Sequence, residues 1–192
     1  APSDSPRLSP SRPVLRLAHM EMSLLPTKLY IPPPRPGLIP RARLLDALDE
    51  GLRRGRRLSL VVAPAGYGKT TLATAWIYAS GLAISSRTAA WLSLDEGDND
   101  PVRLLIHLVA ALRQVDGSVG RTAERMLRSP QLPPLQALVT SLIADLAAVA
   151  EPFVIVLDDY HLITAPEIHD HVDFLLAHQP ASMHGVILSR EM

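Results

Sequence analysis

Residues 58–71 constrain the fold more than any other stretch, because only a few architectures can carry them. They read Leu-Ser-Leu-Val-Val-Ala-Pro-Ala-Gly-Tyr-Gly-Lys-Thr-Thr. Residues 58–63 form an apolar run with the aliphatic, β-branched content of a buried parallel strand. The run breaks at Pro64 into a small-residue loop, Ala65-Gly66-Tyr67-Gly68, and restarts as a helix through Leu72, Ala73, Ala75 and Trp76. Strand, glycine-bearing loop, Gly-Lys-Thr and helix form the context of a phosphate-binding P-loop. Gly66 and Gly68 permit positive φ and let the backbone approach an anion without an intervening Cβ. The amides of Ala63, Pro64, Ala65, Gly66, Tyr67, Gly68, Lys69, Thr70 and Thr71, proline excepted, are positioned to build a nest at the positive end of a helix dipole. Lys69 reaches terminal phosphates as a point charge, and the Thr70 hydroxyl completes a Mg²⁺ shell. The pattern G-x-x-x-x-G-K-[ST] departs only at its first position, where Ala63 replaces glycine.

A P-loop needs a carboxylate strand, and Phe153-Val154-Ile155-Val156-Leu157-Asp158-Asp159 has that form. In an open parallel sheet, ligands sit beyond the carboxyl ends of the strands, so these aspartates face the same edge as the loop. Asp158 is the expected Mg²⁺ partner opposite Thr70, and Asp159 the expected residue orienting an attacking water. Ser189-Arg190, ending the next strand, shares that edge. Either side chain could sense a γ-phosphate, with a solvent-facing strand end as the rival reading.

The remaining pattern alternates helices and strands. Leu44, Leu45, Leu48 and Leu52 mark one helical face, ended by the arginine-rich residues 53–57, read as cations complementing a helix C-terminus. Gly81 reads as a C-cap, and residues 88–94 as a second strand. Asp95-Glu96-Gly97-Asp98-Asn99-Asp100-Pro101 resembles a calcium loop in composition only, and reads better as Asp100 N-capping a helix with Pro101 at N1. That helix places Val102, Leu105, Leu108, Val109 and Leu112 inward and Arg103, His107 and Gln114 outward. A short helix over 121–128 and a longer amphipathic one from Leu135 follow. Thr164-Ala165-Pro166-Glu167 has capping-box form ahead of a helix, and residues 185–190 read as another strand. Together these predict an α/β fold: a three-layer P-loop NTPase with a mainly parallel sheet between helices, incomplete at its C-terminus. The expected division is a disordered segment at 1–23, a proline-rich strap and first helix at 24–57, and the P-loop core, a partial domain, at 58–192.

Composition removes several alternatives. Lys plus Arg and Asp plus Glu are 19 each, so no excess charge favours nucleic-acid or membrane capture. The absence of cysteine excludes disulfides and thiolate chemistry. No apolar run approaches the length of a membrane span and the N-terminus has no apolar signal core, so a cytoplasmic protein is expected. The histidines offer no metal constellation; His107, His161 and His178 read as surface residues. Only Lys28 and Lys69 are lysines, which makes a lysine in the loop less accidental.

In order and spacing, the chain resembles the ATP-binding domain of the large MalT-like, LuxR-type transcriptional regulators, within the STAND class of P-loop NTPases. The resemblance rests on Pro26-Thr27-Lys28-Leu29, the proline-rich strap with Arg35, and Ile39-Pro40-Arg41-Ala42-Arg43-Leu44-Leu45. It continues through the loop at 63–71, Trp91-Leu92-Ser93-Leu94-Asp95 with Asp98-Asn99-Asp100-Pro101, Leu157-Asp158-Asp159-Tyr160-His161, and Leu188-Ser189-Arg190. Leu188 stands where that family often has threonine. The resemblance implies a switch in which ATP or ADP, with Mg²⁺, sets the state and the ATP form self-associates. It also implies tolerance of Ala63, and a strap and Arg41 close to the adenine and phosphates. The family's winged-helix, sensor and helix-turn-helix regions would follow residue 192, so no direct DNA binding is expected of these residues. A slow ATPase switch is the leading expectation; a non-catalytic remnant or interaction module and a P-loop kinase are the alternatives.

Overall fold

Side-chain alternation along three strands decides which layer each helix joins. In the computed structural model, residues 25–34, 37, 39–81, 89–129 and 131–190 are described. The expectations for residues 1–23, Arg35 and Thr88 lie outside them. Strands β1 (Leu58–Val62), β2 (Ala89–Ser93), β3 (Phe153–Asp158) and β4 (Met183–Ser189) make one sheet in the order β1-β4-β3-β2. All three pairings are parallel, with Val62 opposite Ser189, Leu157 opposite Ile187 and Ser93 opposite Asp158.

Ala89, Trp91, Val154, Val156, Val186 and Leu188 face one layer, formed by α1 (Ala42–Arg53) and α2 (Lys69–Ala79). Their alternates Ala90, Leu92, Phe153, Ile155, Leu157 and Ile187 face the other. That second layer comprises α3 (Pro101–Leu112), α4 (Arg121–Leu127), α5 (Leu135–Ala147) and α6 (Pro166–His178). The two-sided arrangement follows from topology. The chain crosses the sheet one way from β1 to β2 and returns through β3 to β4. Right-handed crossovers then place α2 and the later helices on opposite faces. The result is the expected three-layer α/β fold, with the C-terminal ends of every strand on one edge.

Two expectations change. β1 is not a buried strand: Leu58, Leu60 and Val62 are 40%, 46% and 40% exposed. Among the described residues β1 pairs only with β4, and only its other face, through Val61, packs against the α1–α2 layer. The helix α3 is buried nearly all round, and His107, expected outside, is fully buried. The cause is the 3-10 turn Pro26–Leu29, whose Leu29 packs against the core beside α3. No helix among the described residues is long and apolar enough to cross a membrane.

The arginine-rich link 53–57 places Arg53 in the last turn of α1 and Arg54 at its C-cap, as expected, and adds ion pairs and a docking role. Arg53 and Arg54 both pair with Glu50, a turn earlier on α1. Arg57 Nη1 donates to the Ala177 carbonyl in the last turn of α6, 3.0 Å away. Its own carbonyl accepts from the Gln179 side chain and the Gly185 amide, docking the entry to β1 against β4.

Candidate functional site

The loop between β1 and α2 has the backbone its glycines demand. Gly66 and Gly68 have φ of 80° and 79°, in the left-handed region that disfavours side chains. Gly68 is the N-cap of α2 and supplies no side-chain cap, so the first helical amides are left for an external acceptor. Around them Pro64, Ala65, Gly66 and Tyr67 are exposed. Ala63 causes no break in the frame, because its amide extends the β1–β4 ladder to the Ser189 carbonyl at 3.2 Å. Arg41, immediately before α1, donates from Nη1 to the Tyr67 carbonyl at 2.9 Å. It therefore lies against the loop.

Lys69 is buried, and its ammonium donates to the Ala63 carbonyl at 2.7 Å and the Pro64 carbonyl at 3.3 Å. The cation is thus held across the mouth of the loop by backbone oxygens. One residue further, the Thr70 hydroxyl donates to Asp158 Oδ2 at 2.9 Å. The other Asp158 oxygen accepts from the Asp159 amide at 2.9 Å. Burial pushes the Asp158 carboxyl above the usual carboxylate range, and the neighbouring Asp159 charge adds to this; the Thr70 bond and the Lys69 charge oppose it. A buried carboxylate raised in this way, touching a threonine hydroxyl at a helix start, is the donor pair a divalent cation would stabilise. Among the described residues no three His, Cys, Asp or Glu side chains cluster to hold a metal unaided. Thr70 and Asp158 would therefore need phosphate oxygens or water to complete a coordination shell.

Asp159 stands out in the backbone. It is the one non-glycine residue with positive φ among those described, at φ 58° and ψ 37°. Its side chain is 45% exposed, with Oδ1 3.9 Å from His161 Nδ1. His161 is not a surface residue: its side chain is 7% exposed, and neither ring nitrogen has a hydrogen-bond partner. The short turn Tyr160–Leu162 packs on β4, which takes the imidazole out of solvent. Ser189 is buried at the end of β4, while Arg190 is exposed just beyond it. The structure thus gathers the loop, Thr70, Asp158, Asp159 and the Ser189 end at one edge.

A second polar cluster escaped the sequence reading. Lys28, on the 3-10 turn, pairs with buried Asp98 and with Asp95 at 3.0 Å. His107 Nδ1 bonds the other Asp98 oxygen at 2.7 Å. Burial alone would raise the Asp98 carboxyl, but the His107 and Lys28 bonds hold it down, at about 2. Asp95 caps the one-turn helix Glu96–Asn99 in a capping box with Asp98. The acidic loop therefore binds side-chain cations already in the chain, and Asp100 N-caps α3 by accepting from the Arg103 amide, as expected. The available signal was that Lys28 is one of two lysines in an otherwise arginine-based chain. The expected capping box at Thr164 is absent: Ala165 is the N-cap of α6 and makes no side-chain cap.

Comparison with known proteins places this geometry in context. No protein-family model matches the chain. Over 169 residues, 88% of this chain, it is 41% identical to the HTH-type transcriptional regulator MalT of Cronobacter sakazakii (strain ATCC BAA-894). The aligned region covers 18% of that regulator, so the chain spans less than a fifth of its relative's length. The relationship is MalT-like, and it extends across both the loop and the carboxylate strand.

Proposed function

We propose that this chain is the nucleotide-binding switch module of a MalT-like transcriptional regulator, binding Mg-ATP and hydrolysing it slowly. The observation that carries the reading is the Thr70–Asp158 contact beside a left-handed glycine loop whose lysine is already drawn across its mouth. The relative's printed role supports the regulatory half of the proposal.

The chain's own residues divide the work. Amides at the start of α2 hold phosphate oxygens, and Lys69 exchanges its carbonyl partners for the terminal phosphates. Arg41, braced on the loop, adds positive charge on the strap side. Thr70 and Asp158 would hold Mg²⁺, which when bound neutralises charge on the phosphate oxygens. Asp159, on its exposed turn, orients the attacking water, so catalysis is mostly positioning and electrostatics. In this reading Arg190, exposed just beyond β4, reads the terminal phosphate. In this reading the ATP form self-associates and the ADP form does not.

Calorimetric titration of ATP, ADP and GTP, each with and without Mg²⁺, tests the reading. The expected result is Mg-dependent ATP binding that Lys69→Ala abolishes. Folded protein that binds none of these nucleotides would overturn it and favour a remnant or interaction module. Light scattering with ATP and with ADP tests the self-association.

A further inference from the structure

The turn that carries Asp159 is held in an unfavourable state. It combines a non-glycine residue in the left-handed region with a buried imidazole whose two nitrogens make no hydrogen bond. Such features persist only where surrounding contacts over-determine them, and they concentrate at functional sites. Within the turn the Leu162 amide donates to the Asp159 carbonyl and the Ile163 amide to the Tyr160 carbonyl, both at 3.0 Å, but the cap of α6 that follows has no side-chain hydrogen bond of its own.

The hold from outside the turn comes from Asn99, more than sixty positions earlier in the chain. Its Oδ1 accepts from the Thr164 amide at 2.7 Å, the Ala165 amide at 2.9 Å and the Thr164 hydroxyl at 3.3 Å. Its Nδ2 donates to the Leu162 carbonyl at 2.8 Å and to the Glu96 carbonyl at 3.0 Å. One amide thus caps α6 from outside and closes the loop that begins at Asp159. Its neighbour Asp98 is in turn bonded to Lys28 through one carboxylate oxygen and to His107 through the other.

We propose that Asn99 is a positioning residue for the Asp158-Asp159 turn, setting where Asp159 stands without touching nucleotide. This deepens the ATPase reading and rests on it. Only an amide satisfies the arrangement: a carboxylate keeps the three bonds to Thr164 and Ala165 but sets an oxygen against two carbonyls, and alanine keeps none.

The test compares wild type, Asn99→Ala and Asn99→Asp in the full chain by steady-state Mg-ATP turnover, nucleotide affinity and amide hydrogen exchange. For Asn99→Ala, kcat should fall about tenfold or more, as misplaced reacting groups do, while ATP affinity stays within about twofold. Exchange at residues 159–165 should quicken while β1 and α2 keep their protection. Asn99→Asp should recover part of both losses, and it serves as the folded comparison if the alanine variant unfolds. Unchanged exchange at 159–165, unchanged kcat, or a loss of ATP affinity matching the loss of kcat would each overturn the proposal. Wild-type protein that binds no nucleotide would instead sink the ATPase reading, and the exchange measurement would still decide whether Asn99 holds the turn.

Discussion

Thr70 and Asp158 are 88 positions apart in the chain, yet the threonine hydroxyl donates to the carboxylate at 2.9 Å. The contact joins the first turn of α2 to the end of β3 across the intervening strand β4. Asp158→Asn should therefore remove most of the Mg²⁺ dependence of ATP affinity while leaving Mg-free binding nearly intact. Turnover should fall by at least about tenfold. Titrations with and without Mg²⁺, together with a phosphate-release assay, check both. Equal Mg²⁺ dependence in the variant and wild type would remove Asp158 from the cation site.

The two loop glycines should respond differently to a methyl group. Both have positive φ, so alanine at either costs about 1–2 kcal/mol of backbone strain. At Gly66 a Cβ meets nothing within 4 Å, whereas at Gly68 it meets Thr71 at 3.7 Å and Arg41 at 3.8 Å. Those are ordinary contact distances, so no clash separates the two, but Gly68 is the N-cap of α2 and strain there falls on the amides proposed to hold phosphate. Urea midpoints for the two variants should be similar, and ATP affinity should separate them.

Lys28→Met should destabilise the chain by about 3 kcal/mol, because it removes the cation bonded to buried Asp98 and leaves only Arg103 Nε, 3.7 Å from its other oxygen. The same carboxylate predicts an acid limit. Its folded pKa is lowered from 3.8 to about 2, so the stability it contributes is present above the unfolded value and disappears as pH falls from about 4 toward 2. Urea unfolding across pH 2–6 should show this slope in wild type and lose it in Asp98→Asn.

Periodicity and local chemistry carried much of this architecture. The apolar run ending in Asp158 became β3, buried throughout, and the Gly-Lys-Thr step became the start of α2. Features requiring distant partners were not legible. His107 sits on the polar side of its helix by spacing, yet it is fully buried, bonded to Asp98, whose other oxygen pairs with Lys28 from far away in the chain. Thr164 has the right spacing for a capping box, yet its backbone and hydroxyl are engaged by Asn99. Local patterns specify what a segment can do alone, whereas burial of polar groups depends on which segments meet. The β1 run was read as buried for the related reason that edge and central strands share one composition.

Position in the sheet should be measurable as stability. Leu60→Thr on the exposed face of β1 should change unfolding free energy by less than about 0.5 kcal/mol. Ile187→Ala, on β4 facing the α3–α6 layer, should cost about 3 kcal/mol. Comparable losses from the two would mean that the β1 face is covered in solution.

β4 separates the strand that carries the loop from the strand that carries the carboxylate, so it acts as a spacer. Two interstrand steps, about 9.6 Å, set the gap that the Thr70 and Asp158 side chains close. Every residue of that spacer is buried, and it has no side chain at the site except at its Ser189 end. Backbone pairing fixes that lateral gap, while Val186 and Leu188, packed beneath α2, set how far the first turn of α2 stands above the sheet, and neither is a residue that meets a ligand. Substitutions there that alter volume would mistune the opening while leaving every named site residue in place.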